Sequence, residues 1–163
     1  KQVSYVRNDV AANATSYQLS PGDLLIGMTG YVGEVGLVPY TPCPPLLNQR
    51  VAKFILNEPG TRNLGYIYCL TRREGFKRAV EGRSHGTAQA NVSAKDILSI
   101  NVTIPNDKTL QVFNAISGCC IDKILQNHLE LAILQETRDL LLPNLLSGKL
   151  QVTEIESIVS RVI

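Results

Sequence analysis

The segment Asn106–Leu142 reads NDKTLQVFNAISGCCIDKILQNHLELAILQETRDLLL and contains one glycine and no proline. Its apolar and small residues recur at alternating steps of three and four, the spacing of a coiled-coil seam. Asn127 lies within this seam, where a single asparagine usually fixes the register of paired helices. At 1.5 Å per residue, the segment predicts a helix about 55 Å long. We expect so long a helix to pair with another long helix; an amphipathic helix lying on a sheet is the alternative.

The same segment has recognisable ends. Asn106 is a capping residue, and Asp107 favours the first turn through the helix dipole. Pro143 is predicted to end or kink the helix, and Gly148 to stop the stretch that follows it. Residues 152–163 predict a short amphipathic segment. The residues predicted to contact a partner helix lie along the seam: Leu110, Phe113, Ile124, Asn127, Leu131, Leu134 and Leu141.

The sequence before this helix predicts a small β-rich domain. The turn Ser20–Asp23 precedes an apolar run, and prolines between Pro39 and Pro45 exclude a central strand there. The predicted segments follow in chain order: β structure in 20–56, two short helices in 61–82, a polar loop in 82–91, a helix start or turn at 93–96 and a strand at 97–104. The fold class is therefore α+β, a small twisted β-rich domain with short helices followed by a long coiled-coil-type helix.

Composition and charge narrow the function. The chain has 163 residues, of which 44% are hydrophobic and 18% charged, as in a globular domain. It has no apolar run long enough to cross a membrane and no signal-peptide pattern, so we expect a cytoplasmic protein. The net charge of +2 is uneven. Residues 50–96 hold nine bases, mostly arginine, against four acids. This excess fits nucleic-acid binding, or a solvated helix face.

No arrangement of residues predicts catalysis. The glycines spaced by three from Gly27 to Gly36 match no phosphate-binding loop and predict tight turns. His85 and His128 lack a partnered nucleophile. The four cysteines form no C-x-x-C pair, and we expect them to be buried free thiols. The sequence therefore predicts no catalytic residue, no metal site and no cofactor.

Five short motifs, in order, resemble one known family. The run from Pro21 to Gly36 resembles the "pG-D-ll…G…G" strands of type I restriction–modification specificity subunits. Asn48–Val51 resembles the family's "l-N-Q" strand, and Gly86–Ser93 resembles its "G-s-t-Q" loop. Ile97–Pro105 resembles the strand before the family's spacer helix, and Arg138–Leu150 resembles its "R-d-x-L-L-p-x-L-l-s-G-k-l" helix ending.

The resemblance implies a non-catalytic subunit that recognises double-stranded DNA. In the family, two recognition domains read a split site, and the helices between them bind adenine methyltransferase subunits, which recruit the restriction subunit. By this resemblance, residues 1–105 are a target-recognition domain lacking its first part, 106–150 a spacer and dimerisation helix, and 151–163 an amphipathic tail. Alone, the chain is expected to form a homodimer through the long helix.

The basic middle of the chain supplies the predicted DNA contacts. Charged and polar loop residues suit phosphates and base edges, respectively. The predicted set is Gln49, Arg50, Arg72, Arg73, Lys77, Arg78, Arg83, Ser84, His85, Thr87, Gln89 and Asn91. The competing interpretation is a protein–protein adaptor that binds its partner through the long helix.

Overall fold

Strand β1 (Leu24–Gly27) is the centre of a three-stranded antiparallel sheet, with β2 (Val35–Leu37) on one side and β3 (Val51–Lys53) on the other. The computed structural model describes residues 5–56, 63–86 and 90–149. Ile26 in the middle of β1 pairs with Val35 of β2 and Ala52 of β3. The β structure predicted within residues 20–56 is confirmed, although each strand has only three or four residues.

Along the chain, short helices precede and follow the three strands, and one long helix comes after them. In chain order the helices are α1 (Asn8–Asn13), a 3₁₀ turn (Thr15–Tyr17), α2 (Leu64–Thr71), α3 (Glu74–Glu81), α4 (Ala94–Leu98) and α5 (Asp107–Leu146). The two helices predicted within residues 61–82 are confirmed as α2 and α3. The α+β fold class with a long final helix is also confirmed.

One face of β1 carries the core. Leu24 and Ile26 point to the same side because side chains alternate along a strand, and they are 2% and 1% exposed. Ile26 packs in a cluster with residues of α3 and α4, whereas Leu24 packs with Leu64 of α2 and with Ile121 and Leu125 of α5. Phe54, just after β3, contacts both clusters. The sheet therefore holds two helix pairs on one apolar face.

The predicted strand at 97–104 is wrong. Ser93 caps α4: its Oγ accepts from Asp96 N–H at 3.1 Å, and Asp96 Oδ2 accepts from Ser93 N–H at 3.3 Å. This capping box starts a helix. Ile97 and Ile100 both pack in the core, at helical rather than strand spacing. Residues 99–106 form no strand.

Helix α5 has 40 residues and continues through Pro143, so of the two predicted alternatives, an end or a kink, the end is wrong. Only one turn follows the proline, so the missing N–H removes a single backbone bond near the helix end. Asn144 Nδ2 donates to Leu140 O at 3.0 Å in the same turn. The helix then closes at Gly148, which has a φ of 70° and donates to Leu145 O. The predicted glycine stop is confirmed.

The four cysteines are free and exposed, so their predicted burial is wrong. Cys119 and Cys120 lie on α5, whose buried residues are Asn114, Ser117, Ile121 and Leu125. That buried face leaves residues 119 and 120 turned towards solvent. Among the described helices, none combines the length and the hydropathy needed to cross a membrane.

The chain divides into two compact units, residues 1–125 and 126–163. The first contains the sheet, the short helices and the first part of α5. In the described part of the second unit, α5 exposes several large apolar side chains: Leu129, Leu131, Ile133, Leu134, Leu140, Leu142 and Leu146.

Candidate nucleic-acid interface

The loops at one end of the sheet are bonded directly to one another. Because the strands are antiparallel, the residues after Gly27 lie beside those that precede β3. The N–H groups of Met28 and Thr29 donate to the carbonyl oxygen of Arg50 at 2.8 and 3.3 Å. Val92 N–H donates to Met28 O at 3.0 Å. Met28 and Thr29 therefore join the loop before β3 to the loop before α4.

Asn91 closes the polar loop that follows α3. The N–H groups of His85 and Asn91 donate to each other's carbonyl oxygens, at 2.7 and 3.0 Å. Gly86 within this loop has a φ of 103°, which favours glycine. Thr29 Oγ1 donates to Asn91 Oδ1 at 2.6 Å. With Oδ1 occupied, the exposed Asn91 side chain keeps its Nδ2 as a donor.

Gln49 and Arg50 lie in the tight turn before β3. Asn48 Oδ1 accepts the N–H of Arg50 at 2.9 Å, which fixes the turn. The side chains of Gln49 and Arg50 are exposed, and within the described residues neither bonds to another group. The backbone of the turn is therefore held while its two side chains stay available to a ligand.

The β1–β2 connection carries an exposed aromatic residue next to an ion pair. Tyr31 is 80% exposed and lies between Gly30 and Gly33, whose φ values are 82° and 78°. Lys77 Nζ of α3 bonds to Glu34 Oε1 at 2.5 Å, and this carboxylate raises the pKa of Lys77 above its ordinary 10.5. The charge of Lys77 is therefore matched by Glu34 in the folded protein.

The arginines of α2 and α3 differ in their surroundings. The guanidinium of Arg72 lies 5.3 Å from the ring centroid of Tyr68 and donates to its hydroxyl. Arg78 Nε lies 3.1 Å from Glu74 Oε1, one turn earlier on α3. Arg73 is exposed and makes no hydrogen bond or ion pair through its side chain to the described residues. Arg73 thus resembles Arg50 in having an uncommitted guanidinium.

Arg83 and Ser84 bond to the end of α3. Arg83 Nη1 donates to Ala79 O at 2.9 Å, and its Nε donates to Ser99 Oγ at 3.2 Å. Ser84 Oγ donates to Glu81 O at 2.7 Å. Both side chains are half-buried. Both residues therefore hold the end of α3, and Arg83 also holds the turn after α4.

The structure thus brings together part of the predicted set. We call residues 28–33, 48–50, 85–86 and 90–92 the loop cluster; it carries Gln49, Arg50, His85 and Asn91. The predicted Thr87 and Gln89 lie outside the described residues. Sequence reasoning missed Thr29 and Tyr31 because their segment predicts turns and strands. The signal available was an aromatic residue flanked by glycines.

No metal-binding group is evident in the part of the chain that the structure describes. Within residues 5–56, 63–86 and 90–149, no three His, Cys, Asp or Glu side chains are placed to share an ion. Polar donors and acceptors, together with a few cations, are the chemistry that the loop cluster offers. That chemistry suits hydrogen bonding to a polar or anionic partner.

The predicted partner-helix residues of the first unit are partly used within the chain. Leu110 and Ile124 are half-buried. The Phe113 ring meets Tyr66 edge-on, with the centroids 5.9 Å apart. Tyr66 in turn donates its hydroxyl to Thr103 O. The first part of the predicted seam therefore contacts the chain's own core and loops.

The predicted partner-helix residues of the second unit are more exposed to solvent. Leu131 and Leu134 are 51% and 59% exposed, and Asn127 is exposed as well. Leu141 is half-buried. This part of α5 carries an apolar surface for which the described residues of the unit provide no cover.

Comparison with known proteins identifies the family. Residues 3–138 match the family model described as "Type I restriction modification DNA specificity domain". The chain belongs to this family. The resemblance drawn from the five motifs is thereby confirmed. We refer to the chain below as the specificity domain.

Two relatives carry matching names. The specificity domain is 27% identical over 142 residues to the type I restriction enzyme HindI specificity subunit of Haemophilus influenzae, covering 86% of the chain and 30% of that protein. It is 31% identical over 90 residues to the type I restriction enzyme MjaIX specificity subunit of Methanocaldococcus jannaschii, covering 55% of the chain and 20% of that protein. The chain therefore spans less than a third of the length of each of these two relatives.

Proposed function

We propose that the specificity domain binds double-stranded DNA and reads one part of a split site for a type I restriction–modification enzyme. The observation that carries the proposal is the loop cluster, which joins Gln49, Arg50, His85 and Asn91 through the backbone of Met28 at one end of the sheet. Loops held on a rigid sheet are where binding residues concentrate. The names of the two relatives agree with this role.

Base recognition is assigned to the side-chain amides of Gln49 and Asn91. Glutamine suits the paired donor and acceptor on adenine, and Asn91, whose Oδ1 is bonded to Thr29, offers its Nδ2 to an acceptor on a base. Asn91 is held by Thr29, so its Nδ2 is presented in a fixed direction. A side chain fixed before binding loses less conformational entropy when it contacts a base.

Phosphate contacts are assigned to the surrounding cations. Among the described residues, Arg73 and Arg50 have no side-chain bond to give up, so they contact phosphate at least cost. Arg72 and Arg78 exchange a partner side chain for a phosphate oxygen, whereas Lys77 contacts phosphate only to the extent that it leaves Glu34. Arg83 is half-buried and donates hydrogen bonds to Ala79 and Ser99, so its phosphate contact needs a separate test. The predicted Ser84, Thr87 and Gln89 remain part of the proposed surface.

The second unit is proposed to bind protein partners. Exposed leucines such as Leu131 and Leu134 form an apolar surface of the kind that marks protein contacts. We assign it to adenine methyltransferase subunits, to the restriction subunit through them, and to a second copy of the chain in a homodimer. The domain assignment of residues 1–105, 106–150 and 151–163 follows the same proposal.

The proposed role is recognition without catalysis. The specificity domain positions partner enzymes on DNA, needs no cofactor of its own and works in the cytoplasm. A protein–protein adaptor is the second candidate, and the exposed leucines of α5 favour it. The two candidates differ in one measurable respect, because DNA binding releases counterions and weakens with salt.

The test is binding of the full chain to labelled random-sequence duplexes at several salt concentrations. We expect the logarithm of affinity to fall linearly with the logarithm of salt, by about 0.9 per phosphate contact. Arg50→Ala is expected to weaken binding and to reduce this slope by about one. Arg138→Ala is the control, because Arg138 pairs with Asp139 on α5 in the second unit.

Two results would contradict the proposal. Binding that is absent or insensitive to salt, with methyltransferase capture intact, would favour the adaptor. Equal effects of Arg50→Ala and Arg138→Ala would remove the loop cluster from the interface. Arg83→Ala answers a narrower question: unchanged affinity and unchanged slope would show that Arg83 serves the fold alone.

A further inference from the structure

Tyr31 is held at the tip of a rigid connection. Glu34 N–H donates to Tyr31 O at 3.2 Å, and Gly27 N–H donates to Glu34 O at 2.8 Å. Gly33 N–H donates to Gly27 O at 3.0 Å. A Cβ at residue 27 would lie 2.1 Å from Tyr31 O, so the backbone is closely packed here. The tip therefore has little freedom to fold its ring back onto the domain.

The neighbouring residue anchors this tip and leaves the ring outside. Val32 is 7% exposed and packs in the cluster of Ile26 and Val80, whereas Tyr31 is 80% exposed. Consecutive side chains thus point inwards and outwards. A large aromatic ring in water contributes little to folding. The fold therefore gives no reason for an aromatic residue at this position.

The surroundings of Tyr31 are those of the proposed DNA surface. Tyr31 lies two residues after Thr29, so their Cα atoms are within about 7 Å. Thr29 in turn bonds to Asn91. Glu34, which would repel phosphate, is paired with Lys77. A duplex that contacts Asn91 therefore meets an aromatic ring beside a neutralised acid.

We infer that Tyr31 is a specificity-determining residue whose ring makes apolar contact with a base, the C5-methyl group of thymine being the apolar feature of the major groove. The inference rests on the proposed function, since it concerns the same surface. The ring, and not the hydroxyl, makes the contact. Tyr31→Phe therefore keeps it and Tyr31→Ala loses it.

The experiment begins with selection of bound sequences from random duplexes by the wild-type chain. Each thymine of the selected site is then replaced by deoxyuridine, which removes one methyl group. We expect one replacement to weaken wild-type binding about fourfold, the value of one buried methyl. Tyr31→Phe should respond as the wild type does, and Tyr31→Ala should bind both duplexes equally. Tyr17→Ala, at a tyrosine that is 57% exposed, is the control.

The outcomes separate the two claims. If the wild type selects no sequence, the proposed function fails. If it selects a site but Tyr31→Ala keeps the full response to deoxyuridine, Tyr31 reads no thymine and the inference alone fails. Loss of binding in Tyr31→Phe assigns the contact to the hydroxyl and also overturns it. Unchanged melting temperatures would show that all variants are folded.

Discussion

Gly65 of α2 lies so close to Ser117 of α5 that a Cβ at residue 65 would be 1.9 Å from Ser117 Oγ and 2.7 Å from its Cβ. Next to this contact, Tyr66 N–H donates to Asn114 Oδ1 at 2.8 Å. Asn114 and Ser117 are both buried. Asn114 thus satisfies an N–H group in the first turn of α2, which has no partner within its own helix. A glycine and two polar residues therefore attach the start of α5 to α2.

Gly65→Ala is expected to lower the free energy of unfolding by about 1–3 kcal/mol, because overpacking displaces the neighbouring helix. Gly118→Ala is the matched control. A Cβ at residue 118 meets nothing within 4 Å. It should raise stability by about 0.5–1 kcal/mol, since alanine favours a helix more than glycine does. Urea unfolding of both variants measures the difference.

A double variant tests whether Ser117 is the cause. In Gly65→Ala combined with Ser117→Gly, both colliding atoms of residue 117 are absent. We expect the double variant to lose less free energy of unfolding than the sum of the losses of the two single variants. Strict additivity, or a Gly65→Ala variant as stable as the wild type, would mean that the two helices are farther apart than the structure places them.

This contact also shows how far the sequence determines the fold. The alternating spacing predicts the long helix and most of its length. The same spacing assigns Phe113 to a seam with another long helix, whereas in the structure its ring meets Tyr66 of α2, which also bonds to Asn114. The buried face of α5, which carries Asn114, Ile121 and Leu125, is offset from the predicted seam. Periodicity therefore predicts the helix, but it identifies neither the covered face nor the partner. That depends on Gly65, which is distant in the sequence.

The sequence predicts which types of residue the candidate site contains, but it does not predict how the fold brings them together. Polar loop residues such as Gln49 and Asn91 stand out in the sequence, and the structure places both in the loop cluster. Tyr31 does not stand out, because an aromatic residue that begins a run containing β-branched residues predicts a strand. Its exposure follows from Gly30 and Gly33, whose positive φ values reverse the chain. Backbone bonds such as Met28 to Arg50 join segments that no local pattern connects.

Asp96 should give the domain a pH-dependent stability on the acid side. Hydrogen bonds from the hydroxyl and the N–H of Ser93 lower the pKa of Asp96 below its ordinary 3.8. A lowered pKa means that the contribution is complete above the unfolded value and is lost as the pH falls through the folded value. The melting temperature of Asp96→Asn should therefore lie below that of the wild type near neutral pH, and the gap should shrink below pH 3.8.

Ser93→Ala checks the cause of this effect, because it removes the hydroxyl and keeps the carboxylate. Its gap from the wild type should also narrow in acid. A gap between Asp96→Asn and the wild type that stays constant from neutral to acid pH would show that the carboxylate charge contributes nothing to the capping box.

Glu34→Gln is expected to strengthen DNA binding and to steepen its salt dependence. The change removes a negative charge beside the loop cluster and frees Lys77 from its ion pair. One additional cation at the phosphates raises the salt slope by about 0.9. Glu136→Gln makes the same change in net charge on α5 in the second unit and serves as the control. Equal responses of the two variants would assign the effect to net charge alone.

Asn127→Leu is expected to change the assembly of the chain, because an asparagine in a helix seam fixes register at a cost in stability. Asn127 is exposed in the second unit, so leucine there enlarges its apolar surface. Gln126→Leu adds the same side chain one position away, about 100° around the helix, and is the control. Light scattering during size-exclusion chromatography gives the mass of each variant. We expect a defined dimer for the wild type and Gln126→Leu, and a mixture or a larger species for Asn127→Leu. A wild-type monomer would refute the proposed homodimer, whereas three identical dimers would place Asn127 outside the seam.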